Sequence, residues 1–214
     1  MVADEDWELR WLDNFSAMQF GQKLWIVPSW QSPPDPNACN IILDPGLAFG
    51  TGTHPTTAMC LEWLADNPMK GLSIIDYGCG SGILAIAALS LGAKLAICVD
   101  NDPQALIATT ANAEQNGIDA SKLMTCLPEA LDDTLEQLFG SAKHGCDLVI
   151  ANILAGPLVT LAPRLIDLLH DGGQIMLSGL LSEQCTAVST AYASTMTMEL
   201  PYSTGQWVRL NGQK

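Results

Sequence analysis

The stretch Ser73-Ile74-Ile75-Asp76-Tyr77-Gly78-Cys79-Gly80-Ser81-Gly82, followed at once by Ile83-Leu84-Ala85-Ile86-Ala87-Ala88-Leu89, constrains the chain most. A continuous apolar run is the pattern of a buried strand, and the segment after the glycines repeats its apolar side chains as a core helix does. Three glycines at alternate positions let the backbone turn sharply and let a ligand lie against it with no Cβ in the way. A helix start follows, whose free N–H groups and partial positive charge suit a carboxylate or a phosphate.

The nicotinamide fingerprint G-x-G-x-x-G would need a third glycine where Ile83 stands. The sequence instead has D-x-G-x-G-x-G, which resembles the first motif of the class I S-adenosylmethionine-dependent methyltransferases. The competing reading is a tight strand-to-helix turn with no ligand. A second apolar strand, Leu95 to Val99, ends in Asp100. In open α/β sheets an acidic residue at this station, about 20 residues past the glycine turn, accepts hydrogen bonds from a ribose diol. A helix-start role for Asp100 is less natural, because Asp102-Pro103 supplies an N-cap and a first helical residue of its own.

Further along, strands are expected at Leu123–Leu127, Asp147–Ala151 and Gln174–Ser178. Helices are expected from Pro55, Pro103, Glu129, Pro157 and Leu181, and a turn at Asp171-Gly172-Gly173. Five strand–helix units predict a doubly wound parallel α/β sheet, closed by an antiparallel pair near 195–200 and 206–210. This resembles the seven-stranded Rossmann-like sheet of class I methyltransferases. Ligands of such sheets bind at the carboxyl ends of the strands, where Gly78, Asp100 and Asn152 all fall. Ahead of the sheet, residues 4–13 suggest a short amphipathic helix. Gly21-Gln22 between two apolar runs suggests a two-residue hairpin. The expected division is a linker-helix and hairpin extension over 1–37 and a catalytic domain over 38–214.

Asp and Glu total 23 against 9 Lys and Arg, a net charge of −14. That surface is poor for a phosphate backbone and better suited to a cationic partner, so direct nucleic-acid binding is not expected. Seven cysteines, an odd number with no C-x-x-C, fit a reducing cytoplasm with neither a disulfide framework nor a zinc site. No signal peptide and no apolar run of about 20 residues is present, so no membrane span is expected. A monomer is expected.

Asn152-Ile153-Leu154-Ala155 occupies the station where amino-group methyltransferases often carry N-P-P-Y. An asparagine carbonyl there can accept an amine hydrogen and aim the nitrogen lone pair. Ala155 in place of the aromatic residue removes the platform for a planar base and favours a flexible aliphatic amine. The 43–57 loop L-D-P-G-L-A-F-G-T-G-T-H-P-T-T, the D-Y-G-C-G-S-G turn and N-I-L-A-G-P-L at 152–158 together resemble the bacterial ribosomal protein L11 methyltransferase family (PrmA type). The resemblance implies S-adenosylmethionine as donor and no metal. It also implies a ribosomal protein as acceptor, trimethylated on lysine side chains and its N-terminal α-amine. Donor contacts are implied at Thr57, Gly78, Asp100 and Asn152, with Gly80 in the same turn, and Asn152 is the catalytic candidate. Members of the family carry a separate amino-terminal recognition domain, whereas this chain opens at what resembles the linker, so weak acceptor recognition is expected. Alternatives are methylation of another protein's lysine or of RNA, a non-catalytic S-adenosylmethionine-binding module, and a dehydrogenase.

Overall fold

The computed structural model describes residues 16–44, 52–140 and 145–214. The helix expected over 4–13, and residues 45–51 of the glycine-threonine loop, lie outside them.

Strands β1 (Met18–Phe20), β2 (Leu24–Val27) and β3 (Cys39–Ile42) form a small sheet in that order. β1 and β2 are antiparallel, with Phe20 opposite Leu24. The hairpin loop is therefore the three residues 21–23, one longer than the Gly-X pair suggests. Gly21 takes φ 57°, and the extra residue lets a wider loop follow the strand twist. The proline-rich segment carries the chain back, so that β3 lies parallel to β2. These two strands stand on either side of residue 37. Leu24, Ile26 and Ile41 pack in one cluster with Ile74, Leu84 and Ile86, so the amino-terminal hairpin shares its core with the rest.

The main sheet has β4 (Ser73–Tyr77), β5 (Leu95–Val99), β6 (Leu123–Cys126), β7 (Cys146–Asn152) and β8 (Leu169–Leu181) in parallel. β11 (Trp207–Gln213) runs antiparallel to β8. Two short strands, β9 (Thr197–Met198) and β10 (Tyr202–Thr204), pair with opposite ends of β11. They share one edge position, interrupted at Pro201, which has no N–H to give a ladder. The order is β10-β11-β8-β7-β4-β5-β6, so eight strands fill seven places.

Alternate side chains serve the two faces. Ile74, Ala96, Leu148 and Met176 join the cluster under helices α1 (Pro55–Asp66) and α2 (Ile83–Ser90). Ile75, Ile97, Val149 and Ile175 join the opposite cluster, under α5 (Ala155–Thr160), α6 (Ala162–Asp167) and α7 (Cys185–Tyr192). Helix α3 (Pro103–Gln115) precedes β6, with Asp102 Oδ1 accepting the Gln104 N–H at 2.9 Å as its cap. Helix α4 (Leu131–Phe139) follows a 3-10 turn.

Three expectations are corrected on the second half. The single helix expected from Pro157 is two short helices, because Pro163 in the first turn of α6 has no N–H to continue α5. Asp171-Gly172-Gly173 is not a turn ahead of the fifth strand. β8 already begins at Leu169, and Cys146 pairs with Leu169 while Leu148 pairs with Gln174, so the glycines sit in a bulge. The helix expected from Leu181 starts at Cys185, because Leu181 is still paired with Trp207.

The amino ends of three strands are tied by Asp147. Its Oδ2 accepts from Ser73 N–H and hydroxyl, both at 2.7 Å, and its Oδ1 lies 3.0 Å from His170 Nε2. The Asp147 bond, helped by the Asp171 carbonyl, raises the His170 pKa.

Candidate active site

At the carboxyl end of β4 the chain turns through Gly78 (φ 80°), Gly80 (φ 55°) and Gly82 (φ 77°), all left-handed. Space as well as φ demands glycine at two of them. A Cβ on Gly78 would stand 2.3 Å from Ile153 Cγ2, and one on Gly82 2.7 Å from Thr109 Cγ2. The turn is anchored to the neighbouring strand by Gly78 N–H and Cys79 N–H, both donating to Val99 O.

Asp100, at the end of β5, accepts the Gly80 N–H on Oδ2 at 2.9 Å and the Asp102 N–H on Oδ1 at 3.0 Å. Each oxygen keeps a second lone pair for an incoming hydroxyl. Beneath the turn, Asp76 is buried; Oδ2 accepts the Ala85 N–H at 3.1 Å and Oδ1 has no partner. Burial, with the Asp100 charge adding and the Ala85 bond opposing, pushes its pKa up to about 7.

Asn152 closes β7. Its Nδ2 donates to Thr57 Oγ1 at 3.2 Å across 95 residues of sequence, which fixes the amide orientation. Its Oδ1 is buried with no hydrogen-bond partner. Thr57 lies in the first turn of α1 and is 1% exposed. That helix is capped by His54, whose Nδ1 accepts the Thr56 N–H at 3.3 Å, with the Thr56 hydroxyl 2.7 Å from the same nitrogen. The Ser178 hydroxyl donates to Thr56 O at 3.2 Å, pinning α1 to β8. Thr57, Gly78, Gly80, Asp100 and Asn152 thus stand on one rim. Gly80 bonds Asp100, Asn152 bonds Thr57, and Gly78 abuts the residue after Asn152.

Beside Asn152 a pocket of about 390 Å³ is lined by His54, Thr56, Ile153, Leu154, Gly179 and Trp207. The His54 and Trp207 rings meet edge to face, centroids 4.7 Å apart. Gly179 has φ 88°, and a Cβ there would fall 2.3 Å from Ile153 O, so glycine lets β8 pass close under the Asn152 turn. Leu154, 72% exposed, stands at the mouth. His54, Gly179 and Trp207 escape the sequence reading as site residues. His54 shows there only as part of the 43–57 loop, and nothing local brings Trp207 across to it. A larger cavity of about 530 Å³ lies between α4, α6 and the start of β8. It contains none of the motif residues, and its Arg164 is already paired with Asp132 at 2.5 Å. Among the described residues no group of three His, Cys, Asp or Glu side chains could hold a metal ion.

A nucleoside-bearing sulfonium donor fits these residues. The glycine turn presents bare backbone, Asp100 offers free lone pairs, and the Asn152 carbonyl is held by no other protein group.

The comparisons with known proteins agree. A family model described as Ribosomal protein L11 methyltransferase (PrmA) matches residues 1–214. The chain is 51% identical over 213 residues to the ribosomal protein L11 methyltransferase of Ectopseudomonas mendocina, covering 100% of this chain and 70% of that protein. It is 52% identical over 211 residues to that of Azotobacter vinelandii, covering 99% and 69%. A crystal structure of ribosomal protein L11 methylase from Lactobacillus delbrueckii superposes with TM-score 0.79 at 33% identity, over 92% of this chain and 98% of that one. An RNA methyltransferase from Salinibacter ruber, solved with S-adenosyl-L-homocysteine, superposes with TM-score 0.55 at 13% identity over 75% and 93%, a likeness of fold alone. The chain belongs to the ribosomal protein L11 methyltransferase (PrmA) family.

Proposed function

We propose that this chain is an S-adenosylmethionine-dependent protein N-methyltransferase acting on ribosomal protein L11, with Asn152 as its catalytic residue. In this reading Thr57, Gly78, Gly80, Asp100 and Asn152 hold the donor, and the pocket walled by His54 and Trp207 takes the acceptor. The acceptors are lysine side chains and the N-terminal α-amine. Residues 1–37 are an extension on the catalytic domain, 38–214, and the chain acts as a cytoplasmic monomer without nucleic-acid or membrane contact. Among the described residues no helix is long and apolar enough to cross a membrane. One observation carries the reading: the Asn152 carbonyl is buried without a hydrogen-bond partner, on a residue that lines an apolar pocket and precedes Ile153, whose side chain packs against Gly78.

The donor, when bound, supplies a methyl group on a sulfonium that needs no further activation. The protein's share is therefore positioning and exclusion of water. A free lysine amine has a pKa of about 10.4 and is charged in water. Apolar walls disfavour the charged form and release the lone pair. Thr57 holds the Asn152 amide so that its carbonyl, not its NH2, meets the amine, and one N–H donated to that carbonyl orients the nitrogen. His54 Nδ1 is committed to the Thr56 amide, so that nitrogen is not open to the amine proton. The amine proton leaves to solvent.

The test is intact-mass spectrometry of isolated ribosomal protein L11 after incubation with this chain and S-adenosylmethionine. Methyl-sized steps are expected; their absence after prolonged incubation with the chain in excess over the acceptor would remove the proposal. Asn152→Ala should lower kcat by about 100-fold if the carbonyl aims the amine.

A further inference from the structure

Helix α3 carries a polar ladder that neither the motifs nor the methyl-transfer chemistry uses. Thr109, Asn112 and Asn116 are spaced by three and four residues and so share one helix face. The Thr109 side chain is fully buried. Its hydroxyl donates to Gly80 O at 3.0 Å and lies 3.4 Å from Cys79 Sγ. Asn112 Nδ2 donates to Ser81 O at 2.8 Å. Two consecutive carbonyls of the glycine turn are thus held from one side by one helix.

A peptide unit is planar, so pinning a carbonyl fixes the direction of the next N–H. The Thr109 bond sets the Ser81 N–H. The Asn112 bond sets the Gly82 N–H, which donates to Cys79 O at 2.9 Å. On the other side of the turn Asp100 holds the Gly80 N–H. Glycine is the residue with most backbone freedom to lose, and three of them in five residues would leave the turn loose without such ties. Gly82 and Thr109 are also matched in shape, since a Cβ at position 82 would strike the threonine methyl.

We propose that Thr109 and Asn112 are positioning residues that preform the donor-binding turn. This rests on the reading of residues 78–82 as the donor site. A preorganised site binds more tightly because less backbone freedom is lost on binding. Losing the Thr109 hydroxyl should therefore weaken donor binding while leaving the acceptor chemistry at Asn152 intact.

The experiment is calorimetric titration of S-adenosylmethionine, with steady-state kinetics, on the full chain and its Thr109→Val, Thr109→Ser and Asn112→Ala variants. Thr109→Val keeps the shape and removes the hydroxyl; Thr109→Ser restores it; Asn112 is only half-buried, so its variant tests the same idea with less risk to folding. Thr109→Val and Asn112→Ala should each raise Kd and the donor KM about tenfold with little change in kcat, and Thr109→Ser should return toward the parent. Parent-like Kd values in both variants would overturn the proposal, as would a loss confined to kcat. If the parent chain itself does not bind the donor, the donor-site reading fails first and the ladder's role falls with it.

Discussion

Asp100 is engaged before any ligand arrives, one oxygen on the Gly80 amide and the other on the Asp102 amide. It shapes the turn and keeps lone pairs for a ligand. Asp100→Ala should therefore weaken donor binding by roughly 1–3 kcal/mol, measured by calorimetry. Asp76, buried one residue before the strand ends, behaves differently. The unfolded chain ionises this carboxyl near 3.8, the folded one only near 7. Between those values the unfolded state binds fewer protons, so stability falls as pH rises through the window and levels off above it. The span amounts to roughly 4 kcal/mol at most. Asp76→Asn should lose less melting temperature than the parent between about pH 5 and pH 8, in thermal scans at each pH. The positions of Gly78, Gly80, Asp100 and Asn152 were legible because each follows a strand whose apolar run marks its end. The Asn152–Thr57 bond, the His54–Trp207 contact and the Thr109 tie were not, because each joins residues far apart in sequence and leaves no local pattern.

Elements show the same contrast. The His54 cap and Pro55 start of α1, and the Asp102 cap and Pro103 start of α3, follow from local chemistry that sequence carries directly. The end of α3 does something sequence does not reveal. Asn116 accepts the Ile42 N–H at 2.7 Å and donates to Ile42 O at 2.8 Å, so its amide serves as one more peptide group along the edge of β3. This joins the small sheet to the helix that braces the glycine turn. Asn116→Ala should reduce stability by about 1–3 kcal/mol in urea melts and speed hydrogen exchange at Ile42. Gly172 and Gly173 misled for the opposite reason. A glycine pair is a strong local turn signal, but here pairing of β8 with β7 on both sides turns it into a bulge within one long strand.

At the scale of the molecule, the doubly wound, mostly parallel character of the main sheet was legible because strand–helix alternation leaves few topologies once crossovers are right-handed. The parallel pairing of β2 with β3 was not, since a proline-rich segment says that the chain bends but not where it returns. The net charge of −14 is a property of the whole surface, and a lysine-bearing acceptor would feel it at a distance. The KM for the protein acceptor should rise with added salt while the donor Kd moves little, which steady-state kinetics at low and high ionic strength would check. The interrupted edge at Pro201 bears on how such a molecule keeps. An open sheet margin is a template on which a neighbour can add a strand, and repeated addition builds fibrils. Leu200, 93% exposed, sits on that margin. With Pro201 beside it, this margin is two fragments of two and three residues, too short to template an added strand along its length.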